Sequence, residues 1–461
     1  MSDTFLAALA ARLDRGALLT ERDAMAPFLS DWRGAFHGSA LAVARPASVA
    51  AIADCVALCA QHGVSIVPQG GNTGLAAGAT PVALERAIVL NLSRLNTIRY
   101  IDAAGLTIGV DAGCVLADVQ AAADGVDRLF PLSLAAEGSA QIGGLIATNA
   151  GGTAVLRYGS MRALVLGMEV VLADGRIADG MRALRKDNAG YDWKHLFIGS
   201  EGTLGVIVGA VLRLFPKPRT RVTALLSASS LADAITICAQ AQEQFGDLLS
   251  AAELFPDTAV ELRRAHVPGL ERPLAAAAWY LLIEATSALD GLEERLQAAL
   301  LEIVERGAGR ECVLAQGSAQ RASLWEWRET ITESERRAGT SIKHDVSVPL
   351  SEISSFVAQA TSEMARAFPQ CVVLPFGHAC DGNIHYNVIV PAGASVDARA
   401  VNALVHGIVA EYRGSITAEH GIGRYRRDEL RDRRSAVEMD LMRDVKRALD
   451  PEGTMNPGAV L

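Results

Sequence analysis

From residue 40 onward, short apolar runs alternate with longer stretches whose apolar positions recur every three to four residues. Residues 41–44 read as a short strand. Pro46 and Ser48 open a helix that runs through Gln61 and stops at Gly63, a residue type that takes a left-handed cap without a Cβ penalty. Residues 64–67 form the next strand, so 41–67 is predicted as a βαβ unit. Further strands are predicted at 87–91, 107–111, 167–172 and 205–214. Ahead of them, residues 1–25 are predicted as one amphipathic helix, with Leu6, Leu13 and Leu18 among alanines.

Phe215-Pro216-Lys217-Pro218 interrupts this pattern, because proline at alternate positions stops regular structure and stiffens the connection. Beyond it, strands at 222–226, 280–284, 372–376 and 386–390 alternate with long helices at 231–244, 292–307 and 351–367. This predicts an α+β fold in which helices cover a sheet. A helix over 441–449 closes the chain. The expected organisation is a first domain at 1–218, a second at 219–416, and a C-terminal segment at 417–461.

Three glycine-rich stretches lie in the first domain. The first, PQGGNTGLAAGA at 68–79, has four glycines in twelve residues directly after a strand. Such a loop exposes a row of backbone N–H groups and can wrap a pyrophosphate without a counter-charge. Its spacing is neither GxGxxG nor Walker A. The second, 131–152, carries Gly138, Ser139, Gly143, Gly144, Asn149, Gly151 and Gly152; the third is GSEGTLGVI at 199–207. Together they predict a large ligand that carries phosphates.

Composition narrows the classes. Hydrophobic residues make up 50% and charged residues 21%, which is globular, and 461 residues suffice for two or three domains. A net charge of −9 argues against a nucleic-acid surface. The seven cysteines are scattered without a CxxC pair, so an iron–sulfur cluster or cysteine zinc site is not expected, and the pattern suits a reducing compartment. Cys55 and Cys59 share a helix face and read as core; Cys380 stands within the histidine stretch described next. No apolar run reaches the ~20 residues of a membrane span. The N-terminus lacks a basic head with an apolar middle, and Asp3 and Asp14 disfavour a transit peptide. The expected location is the cytoplasm.

The densest chemistry lies in FGHACDGNIHYN at 376–387. His378 and His385 flank an Asp381-Gly382-Asn383 turn, and the strand that follows projects His385 and Asn387 from one face. Glu419-His420 comes later, in ITAEHGIGR. Two histidines and a glutamate can hold a metal with a position left open, and His420 beside them is a candidate proton acceptor. The same set also suits a metal hydrolase or a metal that only staples the fold, although no HExxH spacing is present. Arg328 and Thr332 are four apart in a stretch that reads as helical, 324–332, and Lys343 follows in an alternating segment. Arg328 is the natural fork for a carboxylate.

These motifs, with WEWRE at 325–329 and DPEGTMNPG at 450–458, resemble the FAD-linked 2-hydroxyacid oxidase/dehydrogenase family of the vanillyl-alcohol-oxidase fold, from about Asp31 to Pro457. The branch acting on D-2-hydroxyglutarate is nearest, with branches acting on D-lactate and glycolate beside it. The resemblance implies a two-subdomain FAD-binding domain, a substrate domain with an antiparallel sheet, and a C-terminal segment packing back on the FAD domain. It implies that Pro68, Gly70, Gly71, Asn72, Thr73, Gly74, Gly78 and Ala79 hold the FAD pyrophosphate. Pro131, Gly138, Ser139, Gly143, Gly144, Asn149, Glu201, Gly202, Ile207 and Asn456 would surround the flavin. Leu145 departs from the family, where a polar residue is common. With no histidine between Pro68 and Ala79, FAD would be non-covalent. By the same resemblance, His378, His385 and Glu419 would hold zinc or a similar divalent ion, and Arg328, Thr332, Lys343 and Asn387 would hold the substrate. His420 would act as base. Electrons would leave to an external acceptor such as an electron-transfer flavoprotein or quinone, and a homodimer is compatible.

Overall fold

The computed structural model describes residues 2–267, 272, 274–306 and 309–461, which form two compact units. One runs to Gly152, resumes over Gly159–Lys217 and ends with Glu419–Leu461. The other takes Thr153–Tyr158 and Pro218–Ala418.

In the first unit the βαβ pattern is realised. Ser48 accepts from the Ala51 N–H and caps the helix Val49–His62, which ends at Gly63 with φ 60°. Its buried face presents Ile52, Cys55, Val56, Leu58 and Cys59, which join Ile66, Ile88 and Leu90 in one apolar core. Strands Ala42–Ala44, Ala87–Asn91 and Ser65–Gln69 pair in parallel, and Leu18–Leu19 adds an antiparallel edge. A second, five-stranded antiparallel sheet is centred on Val206–Arg213, between Thr107–Asp111 and Val165–Val171. Ala87–Asn91 and Thr107–Asp111 are buried at every position, as befits interior strands.

The N-terminal expectation is corrected. The helix is only Ser2–Ala10, followed by the strand Leu18–Leu19 and a short helix Arg22–Met25. Phe5 and Leu9 supply its fully buried side; Gly16 then takes φ 78°, which ends helical continuation, and Leu18 and Leu19 pair with Ala44 and Val43 instead. Met1 lies outside the described residues.

The second unit is built on an eight-stranded antiparallel sheet. Its central strands are Thr220–Ala228, Trp279–Ser287, Leu249–Pro256, Val372–His378 and Asn383–Pro391. Phe255, Tyr280, Trp327, Phe376 and Ile389 form its core with Leu225 and Leu282. Helices Leu231–Phe245, Glu293–Glu305 and Ile353–Ala367 occupy the predicted stretches; Gly307 lies outside the described residues. Among the described residues no helix is long and apolar enough to cross a membrane.

The tight turn between Val372–His378 and Asn383–Pro391 sets the register that brings His385 opposite Phe376. Gly382 has φ 86°, and a Cβ there would stand 2.3 Å from the Val348 carbonyl oxygen. Gly382→Ala is therefore expected to destabilise the second unit by about 1–3 kcal/mol or more, read as an earlier denaturant midpoint. A midpoint equal to the parent's would contradict this account of the turn.

Candidate functional site

In the first unit, the strand Ser65–Gln69 leads into the loop 70–79, which is held by side-chain amides. Gln69 donates to the carbonyls of Phe28 and Ala79, both at 2.9 Å. Asn91 donates to Gln69 Oε1 at 3.2 Å and to the Gly70 carbonyl at 3.1 Å. Asn72, at φ 54°, donates to the Ser30 carbonyl at 2.8 Å. Gly71 has no room for a side chain, since a Cβ would lie 2.0 Å from Ser139 O, whereas the Cβ directions of Gly74 and Gly144 open onto space.

The loop borders a cleft whose open volume, mouth included, is ≈ 910 Å³. A dinucleotide fits the groups present. The glycine wall leaves backbone amides approachable by phosphate oxygens, and Leu92, Ala140, Leu145, Val206 and Ile207 offer an apolar wall to a flat ring. Gln141 Oε1 faces burial with no hydrogen-bond partner among the described residues, an acceptor suited to a ligand N–H.

The chain's last segment is stitched to this loop. Asn456, at φ 46°, donates to the carbonyls of Gly78 (2.9 Å) and Glu201 (2.8 Å) and accepts from Arg424 Nη2 at 2.8 Å. Arg424 Nη1 donates to the Gly78 carbonyl at 2.9 Å. The Glu201 carboxylate accepts from the N–H groups of Ile422 and Gly423, both at 2.8 Å. Burial pushes the Glu201 carboxyl up to about 7, against the opposing pull of those two N–H groups and Arg424. Glu419, in the same segment, accepts from the Gly152 N–H at 3.0 Å, and His420 lines the cleft.

The second unit gathers ions around two buried acids. Glu253, 0% exposed, accepts from His378 Nδ1–H at 2.7 Å and from Arg328 Nε–H at 2.6 Å. Burial alone would raise its carboxyl, but His378 and Arg328 outweigh that and hold it below the usual range. Arg328 also lies over the Phe376 ring at 4.8 Å. Glu335, also 0% exposed, accepts from Asn387 Nδ2 at 2.6 Å and has Lys343 Nζ at 3.6 Å. Burial raises the Glu335 carboxyl despite Lys343 and Asn387. The rings of His378 and His385 are 5.5 Å apart, and their nearest ligand-type nitrogens lie within 4.8 Å. His385 Nδ1 stands 3.5 Å from Asp345 Oδ1. An imidazole that gives its Nδ1–H to a carboxylate carries its lone pair on Nε2, which is the donor form a divalent cation requires.

Of the residues expected at the cofactor, Pro68, Gly70, Gly71, Asn72, Thr73, Gly74, Gly78, Ala79, Gly143, Gly144, Glu201, Gly202 and Ile207 line the cleft. Pro131, Gly138, Ser139, Asn149 and Asn456 stand outside that lining. Ser139 backs Gly71, Asn149 Oδ1 accepts from Ser160 and the Arg162 N–H, and Asn456 acts on the loop from behind. Arg328 meets His378 at Glu253, and Lys343 meets Asn387 at Glu335. Thr332 stands apart from them. The expected single helix over 324–332 is two, Ser318–Glu329 and Ile331–Ala338, and Thr332 is exposed on the second. The break falls at Thr330, whose hydroxyl accepts from buried Arg263 at 2.5 Å and donates to the Glu326 carbonyl at 2.6 Å. Cys380 is buried and its thiol points to the Cys238 carbonyl at 3.9 Å. Gln141, Glu253, Glu335 and Arg424 were not expected. Glu253 carried a signal, as the lone acid in the apolar run LSAAELFP; Glu335, in ITESERRA, is not separable by sequence from Glu333.

Comparison with known proteins shows the family. Residues 217–460 match the family model described as FAD linked oxidases, C-terminal domain, and residues 40–180 match that of the FAD binding domain. The chain is 36% identical to the mitochondrial D-2-hydroxyglutarate dehydrogenase of Bos taurus, over 100% of this chain and 84% of that protein. It is 38% identical to the D-2-hydroxyglutarate dehydrogenase of Xanthomonas citri pv. viticola, over 99% of this chain and 97% of that protein. Among solved structures, a substrate-bound p-cresol methylhydroxylase matches with TM-score 0.79 at 16% identity, covering 99% of this chain and 96% of that one. The fold is thus that of the vanillyl-alcohol-oxidase group.

Glu201 yields a pH prediction. Its carboxyl rises from an ordinary 4.5 to about 7 on folding, so the native state favours the protonated form. Its share of stability is fully present below the ordinary carboxyl range and is lost as pH rises through about 7, a loss of about 3 kcal/mol. Glu201→Gln should flatten this fall in denaturant titrations at pH 4.5 to 8. An unchanged slope in the variant would refute the assignment.

Proposed function

This chain belongs to the FAD-linked oxidase family, and from that premise we propose that it oxidises a D-2-hydroxy acid, D-2-hydroxyglutarate above D-lactate or glycolate, to the 2-oxo acid. The observation that carries the reading is the donor set of the second unit. Two imidazoles face buried carboxylates through Nδ1, with Arg328 on one of those acids and Lys343 and Asn387 on a further one. Such a set suits a cation and an anionic, hydroxyl-bearing substrate together.

When bound, FAD supplies the hydride acceptor, and a zinc-type divalent ion, with His378, His385 and Glu419 as its proposed ligands, supplies Lewis acidity toward the 2-hydroxyl. The rest is the work of side chains. Arg328 uses Nε on Glu253, which leaves its Nη groups to fork a substrate carboxylate. That carboxylate is the second one of a diacid, and Lys343 adds a point charge to it. Asn387 contributes a hydrogen bond that fixes the hydroxyl-bearing carbon, whereas the exposed Thr332 takes no part. His420 takes the hydroxyl proton as C2 gives up its hydride. FAD is held without a covalent bond, by the amides of 68–79, and the electrons pass on to an external electron-transfer flavoprotein or quinone.

The purified protein is expected to show a flavin absorbance band and to turn over D-2-hydroxyglutarate with an artificial acceptor, with loss of rate on chelation. Colourless protein would refute the reading. His385→Ala and Glu419→Ala are each expected to lose metal and turnover while keeping flavin; full activity in either removes that residue from the metal site. Arg328→Ala should raise KM for D-2-hydroxyglutarate about 10-fold or more, and for D-lactate less. Equal losses would assign Arg328 to the carboxylate both substrates share.

A further inference from the structure

One carboxylate in the second unit serves two proposed roles at once. Glu253 lies on the strand Leu249–Pro256, opposite His378 in the sheet register. Its Oε1 takes the His378 Nδ1–H at 2.7 Å and its Oε2 takes the Arg328 Nε–H at 2.6 Å. It is 0% exposed, and Arg328 is pinned on its other face by the Phe376 ring at 4.8 Å. His378 and Arg328 come from different elements, the end of a strand and the end of a helix. Glu253 touches both.

We propose that Glu253 is a positioning residue that couples cation binding at His378 to carboxylate binding at Arg328. The inference rests on the reading of the site given above and deepens it. A carboxylate offers two oxygens, so it can fix the imidazole with its lone pair on Nε2 and orient the guanidinium by Nε in the same stroke. A cation drawing electrons from the imidazole makes Nδ1–H a stronger donor. That draws charge onto Oε1 and weakens the hold of Oε2 on Arg328, which frees guanidinium charge for an incoming carboxylate. By linkage, an anion on Arg328 strengthens the Glu253–His378 bond and so the grip on the cation. An amide at this position cannot replace the carboxylate: it has one acceptor oxygen, and its NH2 would face one of the two N–H donors.

The test uses flavin-loaded protein with Zn2+ and Mn2+ as probes, in chelator-competition titrations with and without D-2-hydroxyglutarate. Glu253→Gln is expected to keep the flavin band and to weaken cation affinity about 10- to 100-fold. At saturating cation, kcat should recover to within a few-fold of the parent while KM stays raised. Substrate should tighten the cation in the parent and fail to do so in the variant. Glu253→Asp, which keeps both acceptors on a shorter stem, should restore part of the coupling. A folded Glu253→Gln variant with the parent's cation affinity and KM would overturn the proposal. If that variant does not accumulate as a flavoprotein, Arg328→Ala decides. Arg328 is not a proposed ligand, so a cation affinity shifted more than about threefold supports the coupling and an unchanged one overturns it. Should the parent itself take up neither ion, the metal reading of the site falls first, and that outcome is distinct from a parent that binds and a variant that binds equally.

Discussion

A carboxylate with no access to water must be answered by hydrogen-bonded cations, because an uncompensated buried charge costs several kcal/mol. The second unit is organised around that requirement. Glu253 and Glu335 are both fully buried, and each draws donors from separate elements: His378 and Arg328 to one, Asn387 and Lys343 to the other. The orientation of every one of these donors follows from the acid it serves. The antiparallel register does the coarse placing, by setting Glu253 opposite His378 and Phe376 opposite His385. The acids then set tautomer and side-chain direction.

The first unit meets its task by different means. Its cleft is walled by glycines, amides and apolar side chains, and Glu201 on its lining accepts from the N–H groups of Ile422 and Gly423. Neutral dipoles in fixed positions suit a long, phosphate-bearing ligand, since they need no counter-ion and leave room for close approach. The rigidity of that wall is supplied at a distance. Asn456 and Arg424, far along the chain, both hydrogen-bond the Gly78 carbonyl. The two units therefore rely on different forces, fixed dipoles around the cleft of the first and paired ions around the buried acids of the second.

Much of this architecture was legible residue by residue where the cause is local. Ser48 and Gly63 bracket the helix Val49–His62 because capping depends on a few neighbouring backbone groups. The Asp381-Gly382-Asn383 turn is where it was expected because only a residue without Cβ tolerates φ 86° against the Val348 carbonyl. The glycine loop and the alternation of His385 and Asn387 belong to the same class. At the N-terminus the apolar periodicity continues past the point where Gly16 turns the chain and Leu18–Leu19 finds a sheet edge, so the helix is shorter than its pattern. The break within 324–332 leaves no local trace because Thr330 is engaged by Arg263, 67 residues away.

The sequence alone, then, determined the α+β class, the glycine-rich loop and the pair of imidazoles, since backbone geometry and side-chain alternation are encoded within a turn or two of chain. Tertiary structure alone decided which acids those groups serve. Glu253 and His378 are 125 residues apart, and Glu335 and Asn387 are 52 apart. A glutamate in an apolar strand announces that some cation must be near, but the choice of partner is made by sheet register and helix docking, which no local pattern contains.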